Sequence, residues 1–318
     1  MKPWHQAIRA RRALLGLNFF MADMQAGIGP FLGVFLAAHG WRPGAIGTVM
    51  SLGGVAGMAS GLLGWMFGFS AVFWLAAAFG VLSIIFVMSI PRDAVDHAAA
   101  RGLEGEDEDE DEARPKGFQV LLARRPLLVL AACLALFHLG NGGMLPLYGL
   151  AVSQAGQGNP AALVALTVVV AQGTMVVMSV VATRMAAARG YWLVILLTFI
   201  ALPVRGLIAA TVITAWGVLP VQILDGVGAG LQSVAVPGLV ARIMSGTGRV
   251  NVAQGAVMTV QGLGAALSPA LGGWIAEGAG YPLAFACLGS LSLVSLGLWL
   301  AFGGLLRPAC ALQPAGAA

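Results

Sequence analysis

Nine runs of apolar residues dominate the chain, at roughly 13–38, 46–68, 71–90, 127–152, 161–183, 191–213, 216–240, 251–276 and 282–305. Each approaches or exceeds the ~20 residues that a helix needs to cross the hydrocarbon core of a bilayer. They are too long for membrane β-strands and do not alternate. Composition points the same way. Of the 318 residues, 59% are hydrophobic and 9% are charged, against about 25% charged in ordinary soluble domains. So few charges cannot cover a soluble surface of this size, which excludes a soluble enzyme, a nucleic-acid binder and a disordered chain. The expected fold class is an all-α integral membrane protein. The 45 glycines suit close packing of apolar helices.

The placement of the charges divides the chain. Of the 30 charged side chains, 20 lie in residues 1–12 and 92–125. The linker holds an acidic tract, Glu104 to Glu112, broken only by Gly105, which repels itself and stays solvated. Four regions are expected: 1–90, an N-terminal transmembrane part with three segments; 91–125, an acidic cytoplasmic linker; 126–306, a transmembrane half with six segments; and 307–318, a cytoplasmic tail. The first segment follows a basic start but contains Asn18, Asp23 and Gln25. It is too long and too polar for a cleaved signal core, so it reads as a retained helix. With the N-terminus and linker in the cytoplasm, the inner loops hold 15 of the 17 basic residues, as the positive-inside rule requires.

Parity then conflicts with charge. Three segments between two cytoplasmic points make an odd number of crossings. The expected exception is 46–68, whose glycines favour a re-entrant or tilted path with a break near Gly57–Gly61.

Three charges fall at membrane depth: Asp23, Arg205 and Asp225. Such residues are rare and need a partner or a task. Arg205 lies about 12 Å and Asp225 about 13 Å from the same end of consecutive antiparallel segments, so an ion pair is expected. Its role is open between a structural clamp and a binding or switching pair. Asp23 lies about 15 Å deep with no basic neighbour. It is a candidate proton carrier or a hydrogen-bonded structural acid. Uncharged polar residues form stripes: Gln222, Asp225 and Gln232 on one segment, Gln254, Gln261 and Ser268 on the next, and His138 with Asn141 on the fourth. In lipid these must face protein or a water-filled cavity. They are either interhelical glue or the lining of a polar path.

Several phrases, in their order along the chain, carry a family resemblance. Residues 18–31 (NFFMADMQAGIGPF), 222–230 (QILDGVGAG), 247–274 (from TGR through QGLGAALSP to GGW) and 280–285 (GYPLAF) resemble the first, tenth, eleventh and twelfth helices of one bacterial branch of the major facilitator superfamily. That resemblance implies an MFS-like helical bundle, but with about nine apolar segments (three plus six) instead of twelve. Residues 46–58 resemble the start of a second helix and 59–90 the end of a fifth and a sixth, as though the third and fourth were deleted. The family's charged loop after the second helix is absent. Its echo, Ala182 to Gly190, keeps Arg184 and Arg189 but lacks the acid.

The resemblance implies a secondary active transporter of a small solute in the bacterial cytoplasmic (inner) membrane, working by alternating access, with H+ as the candidate coupling ion. The alternative is a shortened relative that cannot transport and serves as a structural or partner membrane protein. The expected substrate or ion path is Asp23, Asn18, Gln25, His138, Asn141, Arg205, Gln222, Asp225, Gln232, Gln254 and Gln261. The expected partners are a small molecule and the lipid bilayer, not nucleic acid. No catalytic motif is present, and Cys133, Cys287 and Cys310 lack metal spacing, so no enzyme activity, metal or cofactor is expected.

Overall fold

The computed structural model describes residues 119–157 and 160–312, with isolated helical residues at 66–67 and between 74 and 81. Asn18, Asp23, Gln25, the acidic tract and the proposed break near Gly57–Gly61 lie outside the described residues.

The described chain is helical throughout: α1 (Gln119–Ala123), α2 (Arg125–Asn141), α3 (Met144–Gln154), α4 (Pro160–Arg189), α5 (Trp192–Thr211), α6 (Val218–Met244), α7 (Val250–Ala279), α8 (Tyr281–Ala301) and α9 (Gly303–Cys310). Among the described residues, five spans are long and apolar enough to cross a membrane: 125–154, 166–189, 192–211, 218–244 and 281–301. The run at 127–152 is not one helix. It divides into α2 and α3 at a turn formed by Gly142 and Gly143. Helix α7 has 30 residues, ample length for a span. Its glutamines, serine and glycines keep it from the apolarity of the other five. Residues 119–123, placed in the linker by charge, are already helical.

Local chemistry explains the boundaries. Gly280 ends α7 with φ +86°, and its N–H returns to the Ala276 carbonyl. Pro282 then opens α8 in its first turn, where a missing N–H costs nothing. Within α5, Pro203 cannot donate to the carbonyl four residues back. That carbonyl, of Phe199, instead accepts from the buried Ser292 hydroxyl of α8 at 2.9 Å. Ser295 bonds the Cys133 carbonyl of α2 at 2.8 Å. Serines thus tie helices together at places where lipid offers no hydrogen bonds.

Helix α6 packs on α4 and α5, α7 on α2, and α8 on α5 and α2. The α6–α4 contact depends on Gly226 and Gly230. A Cβ at Gly230 would lie 2.7 Å from both the Met175 carbonyl oxygen and Met178 Cβ, so nothing larger than glycine permits this approach. Leu207, Val177, Leu263 and Leu267 are more than half exposed. A soluble protein seldom shows so much apolar surface.

Residues 307–310, assigned to the cytoplasmic tail, end helix α9, which docks on the bundle. The Tyr191 N–H bonds the Cys310 carbonyl at 2.9 Å. Arg242 reaches the Ala311 carbonyl at 2.6 Å and lies 4.3 Å over the Tyr191 ring. Arg307 covers Trp192 at 4.9 Å, which stacks on Trp299. Burial pushes the Cys310 thiol up to about 12, against the opposing pull of Arg242.

Candidate functional site

The polar side chains of α2, α5, α6 and α7 converge in two layers. The first holds the charges. Arg205 Nη1 lies 2.8 Å from Asp225 Oδ1, the ion pair expected from matched depth. Arg205 is 1% exposed and Asp225 18%, so the pair is protein-covered on the cation's side and open on the acid's. Asn141 joins both partners. Its carbonyl accepts from Arg205 Nη1 at 2.5 Å, and its amide donates to Asp225 Oδ1 at 3.2 Å. Arg205 Nε also donates to the Val221 carbonyl of α6 at 3.1 Å. Charge-assisted bonds of this kind are the strong ones.

The second layer lies one helical turn along α2. His138 Nε2 is 3.1 Å from Gln232 Oε1 and 3.1 Å from Gln261 Nε2. One ring nitrogen cannot donate to the first and accept from the second at once. Two arrangements satisfy the trio. With a proton on Nε2, the ring donates to Gln232, and Gln261 presents its oxygen. Without one, the ring accepts from Gln261, and Gln232 presents its amide. The two states differ by rotation of both amides and by the tautomer of the ring.

Helix geometry decides which residues join. At about 100° per residue, Gln232 falls only about 20° from Asp225 around α6, whereas Gln222 falls about 60° away, turned toward the Gly226 side. Gln222 is fully buried, and neither of its amide atoms has a protein partner among the described residues. Gln254 shares the face of Gln261 but lies two turns away, about 10 Å. It is buried, with Oε1 unpartnered. The structure therefore brings together His138, Asn141, Arg205, Asp225, Gln232 and Gln261, and leaves Gln222 and Gln254 apart. Arg205 Nη2 and Gln232 Nε2 also lack protein partners among the described residues. Ser268, noted only as part of a stripe, supplies its hydroxyl to the Gly143 N–H at 2.7 Å. Tyr148, which bonds the carbonyls of Val212 and Thr214, gave no signal in sequence. The Gly226–Gly230 pair did, through its small-x-x-x-small spacing.

An apolar cavity of about 270 Å³ lies elsewhere, lined by Leu121, Leu127, Ala131, Val257 and Val260 among others. No residue of the polar layers borders it. Arg184 and Arg189, in the echo of the family's charged loop, are exposed at the end of α4.

An all-α bundle of apolar spans around buried charge and amide layers defines a multi-pass membrane protein. The Major Facilitator Superfamily profile matches residues 43–251, and the chain belongs to that family. Its relatives include uncharacterized MFS-type transporters from two strains of Mycobacterium tuberculosis. Each is 29% identical over 387 residues, covering 92% of this chain and 92% of the relative. With 92% of this 318-residue chain aligned, about 94 of those 387 positions have no counterpart here. Among solved structures, the crystal structure of the peptide transporter POT in complex with sulfate is similar, with a TM-score of 0.51 and 20% identity. The match covers 60% of this chain and 41% of that one, so the chain spans well under half of the solved transporter's length. A point mutant of that transporter matches with a TM-score of 0.50, 20% identity, and 59% and 41% coverage. These two likenesses concern the fold alone.

Proposed function

We propose that the protein is a secondary transporter of a small polar solute, with its path beside the two polar layers of α2, α6 and α7. The observation that carries this reading is the partial exposure of His138, Asn141, Asp225 and Gln261 deep within apolar spans. Polar side chains at that depth must face protein or water, and transporter sites lie near the midplane for this reason. Gln232 Nε2, without a protein partner among the described residues, is the hydrogen-bond donor of the neutral layer left over for such a solute. The family and the MFS-type transporter names of the relatives support the same class. Proton coupling rests on Asp23, and alternating access on the family's two-halved plan. The membrane is a bacterial inner membrane, with the basic loop ends and the acidic linker on the cytoplasmic side.

The alignment length favours a second reading. About 94 positions without counterpart exceed the ~60 that three helices need, ample for a deletion of the kind read between residues 58 and 59. A half lacking those helices would leave a bundle that holds its fold and partners but does not cycle.

Proteoliposomes carrying an entrapped pH dye separate the two. They are offered di-alanine, glucose, a neutral amino acid and a tetraalkylammonium ion in turn. The transport reading expects at least one of these to change internal pH or to accumulate, with the response lost in Asp225→Asn. A flat response to all four, in protein that unfolds cooperatively on heating, supports the shortened, non-cycling relative.

A further inference from the structure

The charged layer and the Gly142–Gly143 turn meet at one side chain. Asn141 is the last residue of α2, and its carboxamide touches both members of the ion pair. The turn that follows lies flat against α7. A Cβ at Gly142 would lie 2.7 Å from the Ala265 carbonyl oxygen, and the Gly143 N–H is taken by Ser268. The helical ladder is thinned here as well. Pro146 has no N–H to offer the Gly142 carbonyl. Beyond the turn, α3 has its own anchor, the Tyr148 hydroxyl on the carbonyls that follow α5. The first described span is therefore two helices with separate attachments and a weak joint between them.

We propose that Asn141 is a positioning residue that couples the Arg205–Asp225 pair to the direction of α3 relative to α2. A carboxamide presents its oxygen to a cation and its N–H to an anion. Only with both charges in place is each end of the Asn141 amide matched by a charged partner. When the pair separates or one charge is neutralised, the amide loses a charge-assisted bond. The joint then keeps the Ser268 hydroxyl and the packing of Gly142 on Ala265 as its lateral attachments. This inference goes beyond the transport reading, because it holds whether or not a solute crosses the molecule.

The test is a distance measured across the joint. Spin labels on unnatural amino acids replace Leu128 on α2 and Leu150 on α3, both substantially exposed, and leave the native cysteines in place. Twenty-two residues of continuous helix separate them by about 33 Å, within reach of pulsed dipolar spectroscopy. The unsubstituted joint should give one narrow distance. Asn141→Ala and Asp225→Asn should each lose that single peak, and combining the two should add nothing. The exchange variant Asn141→Asp with Asp225→Asn returns one acid and one amide to Arg205 and should restore the narrow distance. A purely space-filling Asn141 would not be rescued by that exchange. An unchanged distribution in Asn141→Ala overturns the proposal, as does a folded exchange variant that stays broad. If a single variant gives no folded protein, recovery of yield by the exchange supports the coupling, and failure to recover overturns it. No solute is used, so the outcome is independent of the vesicle assay.

Discussion

The two polar layers are one helical turn apart and follow different rules. In the charged layer, the orientation of every group is dictated. Asn141 can face Arg205 only with its oxygen and Asp225 only with its amide, and an uncompensated charge at this depth is too costly to leave. In the neutral layer, His138 lies between two glutamines that are free to turn, and one amide nitrogen, Gln232 Nε2, is left over. Charge enforces one arrangement, whereas neutral amides tolerate two. The first layer is suited to holding helices in place, and the second to exchanging partners with a passing solute.

The largest effect should come from separating the charges. Arg205→Leu or Asp225→Leu alone should cost about 3–5 kcal/mol, and the double replacement should recover most of it. Thermal unfolding in detergent measures this, and near-native midpoints in both single variants would erase the distinction between the layers. In the neutral layer, His138→Leu should cost only about 1–2 kcal/mol, since both glutamines can find other partners. It should nonetheless abolish any solute response in vesicles. Retained transport in this variant would place the path elsewhere. Gln261→Met removes a single neutral bond and should cost about 0.6 kcal/mol; a loss as large as that of Asp225→Leu would mean that the amide is as rigidly held as the charges. The last is the control outside both layers, with an effect as small as that of Gln261→Met. Ser292→Ala releases the Phe199 carbonyl that Pro203 left free, for about 0.6 kcal/mol, with transport unchanged.

Hydrophobicity and charge are properties of single residues, so the spans and the Arg205–Asp225 pair could be read from runs and depths. The Gly142–Gly143 turn could not. It falls inside an apolar run, and what interrupts the helix is a hydroxyl from Ser268, 125 residues away. The glutamine stripe on α6 was half legible. A spacing of seven brings Gln232 almost under Asp225, but a spacing of three rotates Gln222 away from it, and only the packing of Gly226 and Gly230 on α4 shows which side is which. The docking of α9 gave no signal, because Arg242 and Arg307 read equally well as solvated loop charges.

That docking has a consequence for the order in which the molecule is made. Arg242 and Tyr191 leave the ribosome well before Cys310 and Ala311, whose carbonyls they hold. Until residues 307–311 arrive, the guanidinium has the ring but not the two carbonyls, and Trp192 waits without Arg307 above it. The end of the bundle where α4, α6 and α8 terminate is closed last, by the latest-synthesised of the described helices. A nascent chain halted before Gly303 would have every described span and still lack this strap.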